Sequence, residues 1–219
     1  MDDIAAQTRD RRQVTMVSVI LLRQGGVMGD QGRRGTKQRM LDSAVLLLRE
    51  RGAAGVTVDA VLAHSGAPRG SVYHHFPGGR NEMVLGAVRQ AGDYIATMVS
   101  ESAAEGDVQQ MVERLVTFWK RALTKTDFRA GCPVAAMALD SRDIVPDAGD
   151  VVRSIFAQWQ ASLSEALSAS GFNAQRAQRL ATLIVSVVEG AIILCRAHRD
   201  LGPLDDVLVE IAPLLERRD

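Results

Sequence analysis

Apolar positions recur three and four apart almost without a break from residue 36 onward, the period of amphipathic α-helices. Between Thr36 and Arg51 the stripe is Met40, Leu41, Ala44, Val45, Leu47 and Leu48, with Gly52 placed to stop it. A short second helix is predicted from Thr57, whose hydroxyl can cap the first free amides, through Val58, Val61 and Leu62 to Gly66. Pro68 then presets φ for the first turn of a third helix, whose surface is polar instead of apolar: it carries Arg69, Ser71, Tyr73, His74 and His75. Pro77, Gly78 and Gly79 interrupt, and a longer helix is predicted from Asn81 to Ser102 with Met83, Val84, Val88, Ala91, Ile95 and Met98 on one side.

The same period continues to the C-terminus. Val108 to Lys125 carries Met111, Leu115, Phe118 and Trp119 on its apolar side; Val151 to Ala169 carries Ile155, Phe156, Trp159 and Leu163 and meets Gly171. The segment Ala174 to His198 is apolar nearly all round, with only Ser186 and Glu189 interrupting Leu183 to Cys195, so it should be covered on two sides, by its own domain and by a second subunit. The last segment, Leu204 to Arg217, offers Val207, Leu208, Ile211, Leu214 and Leu215, and Pro213 should kink or end it. No run alternates as a strand does, so the fold class is all-α. Three short helices precede a larger helical domain, with boundaries expected at 1–32, 33–80 and 81–219.

Charge sharpens the division. The 219 residues hold 26 basic and 26 acidic side chains, yet residues 33 to 80 hold eight basic (Arg33, Arg34, Lys37, Arg39, Arg49, Arg51, Arg69, Arg80) against three acidic (Asp42, Glu50, Asp59). The excess of five positive charges is confined to the small helical unit, which suits a polyanion, and is balanced after Arg80, which keeps the remainder off one. Two distant cysteines, Cys132 and Cys195, give neither a disulfide framework nor zinc spacing and fit a reducing cytoplasm. Residues 1–32 read as a poorly ordered extension. Its apolar run Val14 to Leu22 falls well short of the roughly 20 residues of a membrane span, and Met28 could serve as the working start.

Thr57, Val58, Gly66, Gly70, Ser71, Tyr73, His75 and Phe76, followed by Arg80, Glu82 and Met83, stand in the order cap, turn, aromatic-rich helix, start of helix four. On these residues the stretch 36–85 resembles the DNA-binding region of the TetR family of transcriptional regulators, with Arg80 where lysine is usual. Gly131 to Leu139 resembles the LmrA-like branch, associated with multidrug and antibiotic-resistance genes. The resemblance implies about nine helices, dimerisation through the last two long ones, and release of double-stranded DNA when a small molecule enters the larger domain. On this basis Tyr73, Thr57 and Arg80 would bind phosphate oxygens, while Arg69, Ser71 and His74 would face base edges, Arg69 suiting guanine. His75 and Phe76 would pack inward.

In the larger domain Phe118, Trp119, Phe128, Met137, Phe156 and Trp159 gather most of the bulky side chains, either as plain core or as the lining of a pocket for a largely apolar effector. Glu189 needs a partner: Arg196, a backbone amide, or a cationic or hydroxyl-bearing ligand. Leu183, Val187, Ile192, Leu208 and Ile211 are the expected homodimer contacts. Cys132 precedes Pro133, a pair that fits a helix N-cap, where the dipole would lower a thiol's pKa and create a redox switch; burial is the alternative. His64, His74, His75 and His198 show no metal-ligand spacing, and no catalytic site, cofactor or membrane partner is expected. Two functions follow: a ligand-responsive repressor on a palindromic operator, or a small-molecule-binding or enzymatic helical protein with a vestigial DNA-binding unit.

Overall fold

The computed structural model describes residues 35–103, 107–140 and 145–216; the expectations for the N-terminal extension lie outside them. Among the described residues there are nine α-helices and no strand: α1 Thr36–Arg51, α2 Val58–Ser65, α3 Ser71–His75, α4 Gly79–Ala103, α5 Val108–Lys125, α6 Pro133–Leu139, α7 Ala148–Ala169, α8 Ala174–His198 and α9 Gly202–Leu215. The fold class is as the hydrophobic period predicts.

Local chemistry fixes the ends. Thr57 Oγ1 accepts from Ala60 N at 3.1 Å, Asp107 Oδ1 from Gln109 N and Gln110 N at 2.9 and 3.1 Å, and Asn173 Oδ1 from Arg176 N at 2.9 Å, so α2, α5 and α8 all begin on a side-chain cap. Gly66 closes α2 in the left-handed region at φ 65°, donating its amide to Leu62 O. Pro213 lies inside α9 two residues before its end at Leu215, so the bond its missing amide cannot give to Val209 O is lost only in the last turn.

Helices α1 to α3 enclose a small core built on Met40, Val45, Leu48, Val61, Val72 and Phe76, each no more than 1% exposed. Five residues cannot sustain a helix alone, and α3 is held because Val72 and Phe76 are buried beneath it. Helix α4 continues from this unit into the larger domain. Its first half meets α1 where a Cβ on Gly86 would lie 3.0 Å from Leu41, and a buried network joins Gln38, Asp42 and Gln90 across the two helices at 2.7–3.0 Å. Its middle meets α7 at Gly92, where a Cβ would come within 2.7–2.9 Å of three Ile155 side-chain atoms. There Trp159 Nε1 also donates to Gly92 O at 2.9 Å.

Helix α8 is long and apolar enough by composition to cross a membrane, with a mean hydropathy of 2.0 over its most apolar window. Its composition has another physical account here. Ala177, Leu180, Ala181, Ile184, Val188, Ala191, Ile192 and Cys195 are buried against the domain, while Leu183, Ile193 and Leu194 face out at 38, 49 and 49% exposure.

Because Ile155 is itself only 5% exposed, it has no room to retreat from a side chain at position 92. Gly92→Val should therefore destabilise the protein by about 1–3 kcal/mol, read as a lower thermal midpoint, while Gly190→Ala, where a Cβ would meet nothing within 4 Å, should leave the midpoint unchanged or raise it.

Candidate functional site

The recognition unit differs from the sequence expectation in one respect: Pro68 does not open α3. It lies in the turn before it, where Pro68 O accepts both Ser71 N at 3.0 Å and Ser71 Oγ at 2.6 Å. Helix α3 therefore starts at Ser71 with Gly70 before it, and Arg69 belongs to the turn. Tyr73 is 70% exposed, and Thr57, Arg69 and His74 are exposed on the same small unit, with Ser71 half-buried. Phe76 is buried under Lys37, whose ammonium stands 5.3 Å from the ring centroid, and His75 is half-buried against His74. Arg69 is ion-paired with Asp59 at 2.5 Å, both groups solvated, so the pair restrains the guanidinium little.

Of the eight basic side chains counted for DNA, Arg33 and Arg34 lie outside the described residues, and two of the described ones, Arg80 and Arg49, are turned inward. Arg80 Nε donates to Val56 O at 2.7 Å and a terminal guanidinium nitrogen to Ala53 O at 2.5 Å. Arg80 thus fastens the 3-10 turn Ala53–Gly55 that leads into α2, and only its remaining donor capacity can serve a phosphate. Arg49 is 1% exposed; its Nε donates to Gly131 O at 2.9 Å while Gly131 N donates to Arg49 O at 3.0 Å. Burial pulls this guanidinium's pKa down to about 10, Cys132 and Glu50 acting in the opposite sense and Arg196 in the same sense.

This reciprocal bond belongs to a strap formed by residues 129–140. Arg196 on α8 donates to Arg129 O at 2.9 Å, and a Cβ on Gly131 would lie 2.9 Å from the same guanidinium. At the strap's other end Asp140 Oδ2 accepts Ala53 N at 2.5 Å, across the turn from Arg80. The strap therefore touches the DNA-binding unit twice. Between these contacts Cys132 caps α6, accepting Ala135 N at 3.5 Å, as the Cys-Pro pair predicts. The thiol is not activated, however. Burial first, then the Glu189 charge, push its pKa well above the usual thiol value and outweigh the α6 amides. The thiol is buried and its pKa raised, so neither exposure nor thiolate character supports a redox switch.

Glu189 is the partner of that thiol, and burial raises its carboxyl pKa to about 7, the contact with Cys132 acting weakly in the other direction. Its Oε2 is shut from solvent with no hydrogen-bond partner, so the expected pairing with Arg196 does not form. The carboxyl borders a narrow cavity with room for about one water molecule, lined by Ile95 and Val99 of α4, Leu115 and Trp119 of α5, Trp159 and Leu163 of α7, and Val185 and Val188 of α8. Of the expected pocket residues, Trp119, Trp159 and Glu189 are on this lining. Phe118 and Phe156 stand behind it, packed edge-on to Trp119 and Trp159 at 5.1 and 5.4 Å, and neither Phe128 nor Met137 lines it. The aliphatic lining was missed because Ile, Val and Leu at helical spacing read as ordinary core.

The expected dimer contacts divide. Leu183 is exposed and Val187 and Leu208 are partly so, whereas Ile192 and Ile211, at 1 and 4% exposure, point into the domain's own core and leave a second chain nothing to cover. The outward apolar residues are Leu183, Ile193 and Leu194 on α8 and Val209 and Leu214 on α9. Among the described residues no group of three His, Cys, Asp or Glu side chains is placed to hold a metal ion.

A helix-turn-helix presented on a long connecting helix above a larger helical domain defines a class, and comparison with known proteins agrees. Residues 40–86 match the bacterial regulatory proteins of the tetR family, and the chain belongs to that family of transcriptional regulators. Residues 108–209 match the C-terminal domain of LmrA/YxaF-like transcriptional regulators, which places the larger domain in that branch. An HTH-type transcriptional regulator of Mycobacterium tuberculosis is 43% identical over 187 residues, covering 83% of this chain and 95% of the relative. The HTH-type regulator YxaF of Bacillus subtilis is 30% identical over 189 residues, covering 85% and 97%. A TetR transcriptional regulator from Legionella pneumophila shares the fold with a TM-score of 0.74 at 20% identity, over 84% of this chain and 98% of that one. With such relatives the chain is a regulator and not an enzyme.

The raised Glu189 pKa sets a pH signature. The folded value of about 7 lies above the ordinary 4.5, so the native state holds a proton that the unfolded chain releases. The penalty is absent below the unfolded value, grows as pH rises between the two, and is complete above the folded one, reaching on the order of 3 kcal/mol before solvent relaxation. Glu189→Gln should accordingly raise the thermal midpoint at about pH 8 and change it little at about pH 5; a midpoint gain of equal size at both would contradict this origin.

Proposed function

We propose that this regulator is a ligand-responsive repressor that acts in the cytoplasm as a homodimer on a palindromic operator. Residues 33–80 serve as its DNA-binding unit and 81–219 as its effector and dimerisation domain. The observation that carries the reading is the exposed polar surface of Thr57, Arg69, Ser71, Tyr73 and His74 on a rigid unit whose apolar side is fully spent on its own core. Tyr73 and Thr57 supply hydroxyl donors to phosphates. Arg69 exchanges its solvated Asp59 partner for guanine. Arg80 acts mainly by holding the turn before α2 and only secondarily as a phosphate contact.

One recognition helix of five residues contacts few base pairs, so selectivity calls for two copies related by a two-fold axis. The exposed residues Leu183, Ile193 and Leu194 of α8, with Val209 and Leu214 of α9, form an apolar surface suited to self-association. The effector enters the helical domain beside Glu189, where the narrow cavity widens to admit it, and two links can carry its effect to DNA: α4, which is continuous from one unit to the other, and the strap 129–140. A coupling of about 1–3 kcal/mol would account for release.

Footprinting on the DNA flanking its own gene tests the reading; a protected palindrome whose affinity falls steeply with salt is the expected result. Arg69→Ala should weaken the specific site by about 1–3 kcal/mol and relax the preference at one base pair. Leu194→Asp should give a folded monomer by light scattering that has lost operator binding, whereas Ile192→Asp should unfold the helical domain. A dimeric Leu194→Asp protein that still binds the operator would refute the assigned face.

A further inference from the structure

We propose that Asp140, in the helical domain, is a positioning residue for DNA recognition: its carboxylate caps the turn Ala53–Gly55 from across the domain boundary and so sets the angle at which α2 and α3 meet the duplex. The proposal rests on the reading of residues 33–80 as the DNA-binding unit and adds to it a residue from outside that unit.

Three observations meet at this turn. It has no cap of its own: the residue before it is Gly52, without a side chain, and its first amide, Ala53 N, donates to Asp140 Oδ2, 87 residues further along the chain. Gly52 leaves room for that cap, since a Cβ there would lie 3.2 and 3.4 Å from the two Asp140 carboxylate oxygens, and its φ of 68° favours glycine. The turn's carbonyls are held from α4, Arg80 donating to Ala53 O and to Val56 O. Both peptide groups of Ala53 are therefore gripped from outside the turn.

Asp140 is a fixed arm. Its own amide donates to Ala136 O at 3.1 Å at the end of α6, and Cys132, Val134 and Met137 anchor that helix in the core. The turn leads straight to Thr57, which caps α2 through Ala60 N and is itself exposed. Helices α2 and α3 share one small core through Val61, Val72 and Phe76, so a turn that changes its geometry carries both of them with it.

The charge of Asp140 and the bond it accepts act in opposite directions. A carboxylate beside a unit that binds a polyanion opposes binding through its charge. It favours binding only by holding Ala53 N. Loss of a cap typically shifts a local equilibrium about fivefold, and two copies on one operator multiply the penalty, so a loss of about tenfold or more is expected.

The test uses the full chain on the duplex protected in footprinting of the DNA flanking its own gene, with an unrelated duplex of equal length beside it. Asp140→Ala should bind the protected duplex about tenfold or more weakly than wild type. Its binding to the unrelated duplex should be equal or tighter and its salt dependence unchanged, because no phosphate contact has gone. Asp140→Asn loses the charge but keeps an acceptor oxygen, and should bind within about threefold of wild type. An Asp140→Ala protein that binds the protected duplex as well as wild type, a loss equal on both duplexes, a shallower salt dependence, or an Asp140→Asn protein as weak as Asp140→Ala would each overturn the proposal. Should Asp140→Ala fail to fold by its circular-dichroism melt, hydrogen exchange of the wild-type Ala53 amide decides. By reciprocity the protected duplex should slow that exchange, and an exchange rate unmoved by it would overturn the proposal. A wild-type chain that prefers no duplex removes the DNA-binding reading and the proposal with it. A selective wild type beside an equally selective Asp140→Ala protein removes the proposal alone.

Discussion

A buried guanidinium has to be given carbonyl oxygens, because water is not there to solvate it. In this protein the requirement falls on Arg49, at the end of α1, whose Nε donates to Gly131 O while Gly131 N donates back to the Arg49 carbonyl. Much of the rest follows from that placement. With Gly131 fixed against α1, Cys132 is set to cap α6 and to meet Glu189, and α6 runs to Asp140 at the right height to take the amide of Ala53. A side chain at position 131 would have to displace the Arg196 guanidinium that holds Arg129 O. One internal charge thereby brings the DNA-binding unit, the strap and the wall of the cavity into register.

The consequence is that the two domains are joined by two kinds of link with different mechanical character. Helix α4 is continuous and stiff, and it is packed closely in its first half against Leu41 through Gly86 and at its middle against Ile155 through Gly92. The strap is held by polar contacts at Gly131 and Asp140 and, between them, by Cys132, Val134 and Met137 buried in the core. The first link is a single rigid element; the second is packed and hydrogen-bonded to both units. The turn Ala53–Gly55 is gripped by both Asp140 from the strap and Arg80 from α4. It leads directly into α2, so the two links converge immediately ahead of the recognition unit.

Much of this was legible in the sequence. The helices from Val108 to Lys125 and Ala174 to His198 were bounded as predicted, because their ends are written in local chemistry. The start of α3 was misplaced since proline fits a turn before a helix as well as its first turn, and only Ser71's bonds back to Pro68 O distinguish the two. Arg49 and Arg80 were counted with the surface charges, although Arg49 is four residues after Val45, at the margin of the α1 stripe where a long side chain can turn inward. Ile192 was assigned to the wrong side of α8 for a different reason. In a helix that is apolar all round, periodicity does not say which side is core, and only the structure groups Ile192 with Ile184 and Val188 and sets Leu194 opposite. The cavity was half legible: its tryptophans and its carboxylate stood out, while its aliphatic walls could not be told from packing.

Helix α8 shows why these features are interdependent. Its inner side supplies Ile184, Val188 and Ile192 to the core, its outer side carries Leu183, Ile193 and Leu194, and Glu189 lies between the two against the cavity. A helix held on its inner side by close packing cannot slide freely under load, so a change at Glu189 is met by rotation or by a shift of whatever is held less firmly. Its nearest neighbours on the strap are Cys132, in contact with Glu189, and Arg129, whose carbonyl accepts from Arg196. A change at Glu189 is thus one contact from Cys132 and adjoins Gly131, which is bonded to Arg49 in α1, ahead of the recognition helix.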